Sequence, residues 1–173
     1  MILATDIYYY DDKAKAVALA FKHWTDEVAK QVFTCQLNTV AEYVPGEFYK
    51  RELPCILEVL KQTELSRVEA IIVDGYVILD NQGKIGLGGH LFQALNGTIP
   101  VIGVAKTNFA DNTRHVARVL RGESQRPLFV TAMGMGLSDA AGHIQSMAGQ
   151  FRLPTLLKEV DKISKEKSTS PVV

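Results

Sequence analysis

Residues 1–10, MILATDIYYY, and residues 70–79, AIIVDGYVIL, decide how this chain folds. Each is an apolar run carrying a single carboxylate, Asp6 in the first and Asp74 in the second. The second run is continuously apolar up to Asp74, the pattern of a strand buried on both faces of a parallel sheet. A strand that stops on an acid puts a carboxylate at the sheet's edge, where acids from separate strands can meet. Glu52, in YVPGEFYKRELP (residues 43–54), is a third acid at the corner of an apolar run. Hard divalent cations such as Mg²⁺ and Mn²⁺ take oxygen ligands, and phosphoryl chemistry uses them to clamp the attacking and leaving oxygens. The alternative is three unrelated surface acids, the usual fate of Asp and Glu.

Outward from these runs the chain reads as α/β. Residues 13–24, KAKAVALAFKHW, form a second strand, and residues 27–37, EVAKQVFTCQL, a third, although helical spacing fits the first half of the latter as well. After Pro45-Gly46, residues Phe48, Leu53, Ile56, Leu57 and Leu60 recur at helical intervals to about Thr63. Pro54 lies inside, so that helix begins near Leu53 or is kinked there. YVILDNQGK (residues 76–84) is expected as a short strand ending in a turn, residues 86–95 as a helix and IPVIGVAK (residues 99–106) as a buried strand. RPLFVTAMG is the last strand, residues 138–151 and 154–167 are two helices, and the tail through Val173 is expected to fray. There is no internal repeat and no linker, so residues 1–166 make one domain. Early antiparallel strands followed by alternating helix and strand fit a mixed sheet flanked by helices. A ribonuclease H-like layout is one such arrangement, with an acid at the centre of the first strand and another at the end of the fourth.

Composition bounds the rest. At 173 residues with 47% apolar residues and a mean hydropathy of +0.04, the chain buries a real core. Nineteen basic residues balance nineteen acidic ones, so no global basic field advertises a non-specific DNA binder, though a local basic groove is compatible with that balance. Cys35 and Cys55 have no metal-ligand spacing and read as reduced core thiols. Residues 1–12 lack the basic start and apolar length of a signal peptide, and no stretch approaches a membrane span. A cytoplasmic protein is expected.

Blocks spread along the chain resemble, in order, those of the endonuclease V family, Mg²⁺-dependent nucleases that cut deoxyinosine-containing DNA or inosine-containing RNA. TDIYY resembles the family's first-strand motif with its catalytic Asp. Tyr43 to Glu52 is similar to YxPG…FRE, the most specific match. VDGYVILDNQGKIGLGGHL resembles VDG…GLAxHLG, and IPVIGVAK matches IPTIGVAK, ending on Lys106. Arg152-Leu153-Pro154 with Asp161 resembles the C-terminal RLPEPTRxAD/H segment, although EPTR reads TLLK here. The resemblance covers residues 6–161.

It implies roles. Asp6, Asp74 and Asp161 would bind Mg²⁺, with Mn²⁺ as a substitute, and Glu52 would complete the catalytic cluster. Lys106 would neutralise the scissile phosphate or orient the attacking water. Read without the family, Lys106 is a solvated strand-end lysine, and Asp161 a helix acid facing Lys158 or Lys165. In the family the tyrosine loop, here Tyr43 with Pro45 and Gly46, wedges into the duplex while the extruded inosine sits in a pocket. Gly75 of the VDG block and His90 of GLGGHL belong to the same nucleic-acid-facing region. Base extrusion costs a few kcal/mol of stacking, offset by an aromatic contact and pocket hydrogen bonds. The implied reaction is hydrolysis of a phosphodiester 3′ to inosine or another deaminated base, in DNA repair or RNA processing.

There are departures. The His-Pro-Arg-like stretch after VDG reads Leu79-Asp80-Asn81-Gln82, and the SPGHRISLE loop is represented by residues 131–138, TAMGMGLS. The first catalytic strand is expected to start almost at residue 1, whereas family members carry a preceding helix. Each lost phosphate contact weakens binding and flattens its salt dependence. A second reading is therefore an inactive or reassigned paralogue that binds nucleic acid or a protein through the old cleft. GLGGH lacks the spacing of a phosphate-cradling loop. His23, His115 and His143 read as surface residues, His90 as packing on or supporting the site, Trp24 as a hairpin cap or core filler, and Tyr8–Tyr10 as strand aromatics. The oligomeric state is not legible.

Overall fold

The computed structural model describes residues 1–11, 13–38, 42, 44–109 and 111–166. Seven strands form one mixed sheet: β1 (Ile2–Tyr10), β2 (Lys13–Phe21), β3 (Gln31–Leu37), β4 (Ala70–Asp74), β5 (Val101–Ala105), β6 (Ala117–Val119) and β7 (Leu128–Met133), in the order β3-β2-β1-β4-β5-β7-β6. β1, β2 and β3 are an antiparallel meander; β4 and β5 run parallel to β1; β7 returns antiparallel to β5 and carries β6. Helices α1 (Tyr49–Leu60), α2 (Leu87–Ala94), α3 (Leu137–Ser146) and α4 (Thr155–Lys165) cover the faces. This is the ribonuclease H-like architecture that the order of elements predicts.

Alternation along the strands assigns each helix pair to a face. Ile2 and Ala4 of β1, Val17, Leu19 and Phe21 of β2, Ile72 of β4 and Ile102 and Val104 of β5 pack with Ile144 of α3 and Leu156, Leu157 and Val160 of α4. Leu3, Ile71, Val73 and Val101 point the other way, onto Ile56 and Leu60 of α1 and Leu91 of α2. Beneath α1, β2 offers only Ala14, Ala16 and Ala18, small enough to admit Cys55 and Val59. Both cysteines are free, Cys55 buried and Cys35 half-buried, as reduced thiols should be. No helix among the described residues is long and apolar enough to cross a membrane.

The structure corrects the expected elements in several places. Residues 76–84 form no strand; a single bridge, Ile78 to Ile85, closes a turn there. The Asp80 carboxylate accepts hydrogen bonds from the amides of Gln82 and Lys84, and the Asn81 side chain accepts from those of Thr113 and Arg114. Local capping by Asp and Asn outcompetes strand pairing at this point. Strand β3 starts at Gln31 rather than Glu27, and the helical option for the first half of residues 27–37 drops out. Helix α1 starts at Tyr49, ahead of Leu53, with Pro54 in its second turn; the absent Pro54 amide leaves the Lys50 carbonyl without its intrahelical donor. Helix α3 ends at Ser146, well short of Phe151. The three residues of β6 are too few to show a period in sequence. The tail 167–173, expected to fray, lies outside the described residues, as does Tyr43.

Candidate active site

Register brings the acids together. β1 pairs in parallel with β4 up to Thr5 and Val73, and Asp6 and Asp74 each follow by one residue. Asp74 pairs with Val104 of β5, two residues before Lys106. By alternation Asp6, Asp74 and Lys106 share the α4 face of the sheet, where Asp161 of α4 also stands. Asp6 is therefore in mid-strand rather than at an edge. β1 runs on with β2 as far as Tyr10, while β4 stops at Asp74, and the cleft opens where β1 loses its parallel neighbour.

Glu52 reaches the cleft from α1, across the sheet. A cavity of about 60 Å³ is lined by Asp6, Glu52 and Asp74, with Thr5, Ile7, Ile56 and Leu87 around them. A second small cavity is lined by Asp6, Asp74, Lys106 and Asp161 against Leu153, Leu157 and Val160. A third, of about 480 Å³, joins Glu52 and Asp74 to Gly46, Phe48, Gly75, Tyr76, His90 and Phe109. Asp74 lines all three. Of the residues singled out in sequence, Asp6, Glu52 and Asp74 thus line one cavity and Asp6, Asp74, Lys106 and Asp161 another, with Gly46, Gly75 and His90 in the adjoining pocket. Pro45 precedes Gly46 in the turn that forms its rim.

Electrostatics follow from this crowding. Burial, followed by the Asp74 and Asp161 charges, raises the Asp6 carboxyl to about 6, against a lowering hydrogen bond from Ser164. Glu52 is raised to about 7 by burial and then by Asp74 and Asp6. Asp74 is raised by burial, with Lys106 opposing. Asp74 nevertheless keeps solvent-exposed surface, so the cleft is open to water at this carboxylate. Asp161 pairs with Lys165 at 2.7 Å, one turn along α4.

An all-oxygen set of carboxylates that raise one another's pKa matches the ligand chemistry of a hard divalent cation. As the side chains stand, no three His, Cys, Asp or Glu among the described residues close into a group that could hold a metal ion. Two of the acids hold internal donors instead: Ser164 on Asp6, at 2.5 Å, and Lys165 on Asp161.

The chain immediately after Asp74 is shaped by close packing. Gly75 has φ +122°, and a Cβ on Gly103 would lie 2.5 Å from the Gly75 carbonyl, 2.8 Å from Thr131 Oγ1 and 2.9 Å from the Val77 amide. Only glycine at position 103 lets the loop cross β5 so closely, and Thr131 Oγ1 accepts the Val77 N–H there at 2.8 Å. The glycines of GLGGH serve packing as well, with Val77 and Ile85 pressed against Gly88 and Gly89.

A family model for endonuclease V matches residues 1–162. The chain belongs to the endonuclease V family. It is 26% identical to the endonuclease V of Xylella fastidiosa strain 9a5c, over 95% of this chain and 75% of that one. The crystal structure of endonuclease V from Streptomyces avermitilis superposes with a TM-score of 0.73 at 25% identity, covering 95% of this chain and 79% of the other. Endonuclease V from Ciona intestinalis, solved with a 24mer DNA containing an inosine followed by a ribo-adenosine, has a TM-score of 0.77 at 18% identity, over 95% and 84% of the two chains. The chain is thus a member of a nuclease family.

Several residues escape sequence reading. Ser164 and Lys15 are polar yet buried, at 1% and 7% exposure. Lys15, which alternation turns toward α4, donates to the carbonyls of Ile163 and Glu166. Buried Arg121 gathers the carbonyls of Met147, Gly149 and Phe151 at the turn between α3 and α4. The histidines read as surface residues divide: His23 is exposed, whereas His143 is half-buried, stacked on Trp24 at 4.3 Å, and His115 is also half-buried. Tyr9 lies beneath the Arg51 guanidinium at 3.8 Å, next to Cys55, and His90 stacks on Tyr49 at 3.5 Å.

Proposed function

We propose that this protein is a metal-dependent endonuclease that hydrolyses the phosphodiester 3′ to inosine or another deaminated base in nucleic acid, leaving a 3′-hydroxyl and a 5′-phosphate. The observation that carries this reading is Asp74, shared between an acidic cavity and a pocket large enough for a base. Asp6, Asp74 and Asp161 would hold Mg²⁺, or Mn²⁺ in its place, and Glu52 would complete the set. Such a cation, when bound, polarises the scissile phosphate and lowers the pKa of the attacking water. Lys106 brings its ammonium to the same cleft to offset phosphate charge.

The neighbouring pocket would take the extruded base. Gly46 and Gly75 bring backbone to its walls, and Phe48 and Phe109, both about half exposed, offer aromatic faces at its rim. His90, its pKa lowered by burial, stacks on Tyr49 and would face the base as a hydrogen-bonding ring. Tyr43 and Pro45 would supply the wedge. The inosine-containing DNA held by the Ciona relative supports the substrate class. Free cysteines fit a cytoplasmic enzyme.

The second reading, a reassigned paralogue that binds nucleic acid or protein without cutting, is favoured by one observation. The segment where the family carries basic groups is here a turn capped by Asp80 and Asn81. Cleavage of an inosine-containing oligonucleotide with Mg²⁺ or Mn²⁺ separates the two. Product from the wild type and none from Asp74→Ala supports the nuclease; no product from the wild type, or equal product from both, sinks it.

A further inference from the structure

Helix α4 buries a serine together with Leu156, Leu157 and Val160. Ser164 is 1% exposed, and its Oγ lies 2.5 Å from Asp6 Oδ2 and 2.8 Å from the Asp161 carbonyl. A hydroxyl has one proton, and an ionised carboxylate is a stronger acceptor than a peptide carbonyl. The Ser164 O–H therefore donates to Asp6 whenever Asp6 is charged. This contact joins residues 158 positions apart, one on the first strand and one on the last helix.

The helix turn bearing Ser164 is itself held. Lys15 Nζ donates to the carbonyls of Ile163, at 2.7 Å, and Glu166, at 2.9 Å, the residues that flank Ser164 and Lys165. Lys15 stands on β2 two residues from Val17, the register partner of Asp6. The ammonium thus meets the carbonyl end of α4, where a cation complements the helix dipole. Strand β2 fixes the helix end, the helix end fixes Ser164, and Ser164 fixes one oxygen of Asp6.

We propose that Ser164 is a positioning residue for Asp6: its hydroxyl holds Oδ2 and so fixes the orientation in which the carboxylate meets a cation. The proposal rests on the functional reading above, in which Asp6 is a metal ligand. Outer hydrogen-bond partners of ligating groups commonly change metal affinity by about 10- to 100-fold when removed.

The test is Mn²⁺ binding, followed by the electron paramagnetic resonance of free Mn²⁺, on the intact wild type, Ser164→Ala, Ser164→Thr and Asp6→Asn, with the melting temperature of each as a measure of folding. Ser164→Ala should weaken Mn²⁺ binding about tenfold, Ser164→Thr should restore it to within about threefold because the hydroxyl is kept, and Asp6→Asn should abolish it. If Ser164→Ala binds like the wild type while Asp6→Asn does not, the positioning role is wrong and the nuclease reading stands. Equal losses in the Ala and Thr variants also overturn it, since packing rather than the hydroxyl would then be at work. A wild type that takes up no Mn²⁺ removes the functional reading and this proposal with it.

Discussion

Lys15 on the second strand and Ile163 on the last helix are joined by a 2.7 Å hydrogen bond, from a buried ammonium to a backbone carbonyl. Hydrogen bonds involving a charged group contribute about 1.5–3 kcal/mol each, less the cost of desolvating the charge. Lys15→Met keeps the length of the side chain and removes both of its donors to α4. We expect a loss of about 2 kcal/mol, or roughly 4–8 °C in Tm for a domain of this size. Thermal unfolding checks it, and an unchanged Tm would show that water replaces the ammonium.

Asp6 and Glu52 give the metal-free protein a pH dependence of definite sign. Their folded-state values, about 6 and about 7, lie above the ordinary carboxylate range, so both bind protons more tightly folded than unfolded. The unfolded state therefore releases these protons first, and the stability they contribute is complete below about pH 4 and lost as pH rises toward 7. In a chelator, Glu52→Gln should flatten the fall in Tm between pH 5 and pH 7 relative to the wild type. Millimolar Mg²⁺ should flatten it in the wild type as well. Parallel wild-type and Glu52→Gln curves would show that neither burial nor its neighbours raise the Glu52 carboxyl.

Neutralising Asp74 should separate stability from activity. Its carboxylate is disfavoured by burial and by Asp161. Asp74→Asn removes that penalty at similar volume, so the metal-free Tm should hold or rise by a few degrees. Cleavage of an inosine oligonucleotide should fall by about a hundredfold or more, the usual scale for losing a group that stabilises transition-state charge. A Tm that drops together with activity would mark Asp74 as structural.

Gly103→Ala forces a methyl onto the Gly75 carbonyl and the Val77 amide, both backbone atoms that cannot rotate away. Overpacking of this kind costs about 1–3 kcal/mol. Because the displaced loop begins at Asp74, cleavage should fall further than the loss of folded protein explains. Comparing kcat with the folded fraction by circular dichroism settles this.

The central strands were legible because burial on both faces leaves continuous apolar runs. VEAIIVDG and IPVIGVAK point directly to β4 and β5, and thereby to Asp74 and Lys106. The YxPG…FRE-like block located Glu52 ahead of any geometry. The turn after Val77 reads as a strand in sequence because Val77, Ile78 and Leu79 form an apolar run; what decides it is Asp80 and Asn81 capping amides up to 33 residues away. Such capping is visible only once the loop 111–115 is in place. Ser164 and Lys15 were illegible for a related reason. A serine on a lysine-rich helix and a lysine on an alanine-rich strand look like ordinary solvent-facing residues until tertiary packing buries them together.

The hydrogen bond between residue 164 and residue 6 has a consequence for biosynthesis. A ribosome that has made the first 150 residues has delivered the strands that carry Asp6 and Asp74, but not the helix that completes their surroundings. The acidic cleft thus comes together only once α4 has left the ribosome, and a nascent chain that lacks this helix has no completed set of acids. Truncations that stop before Thr155 should mimic that stage, folding poorly and binding no Mn²⁺.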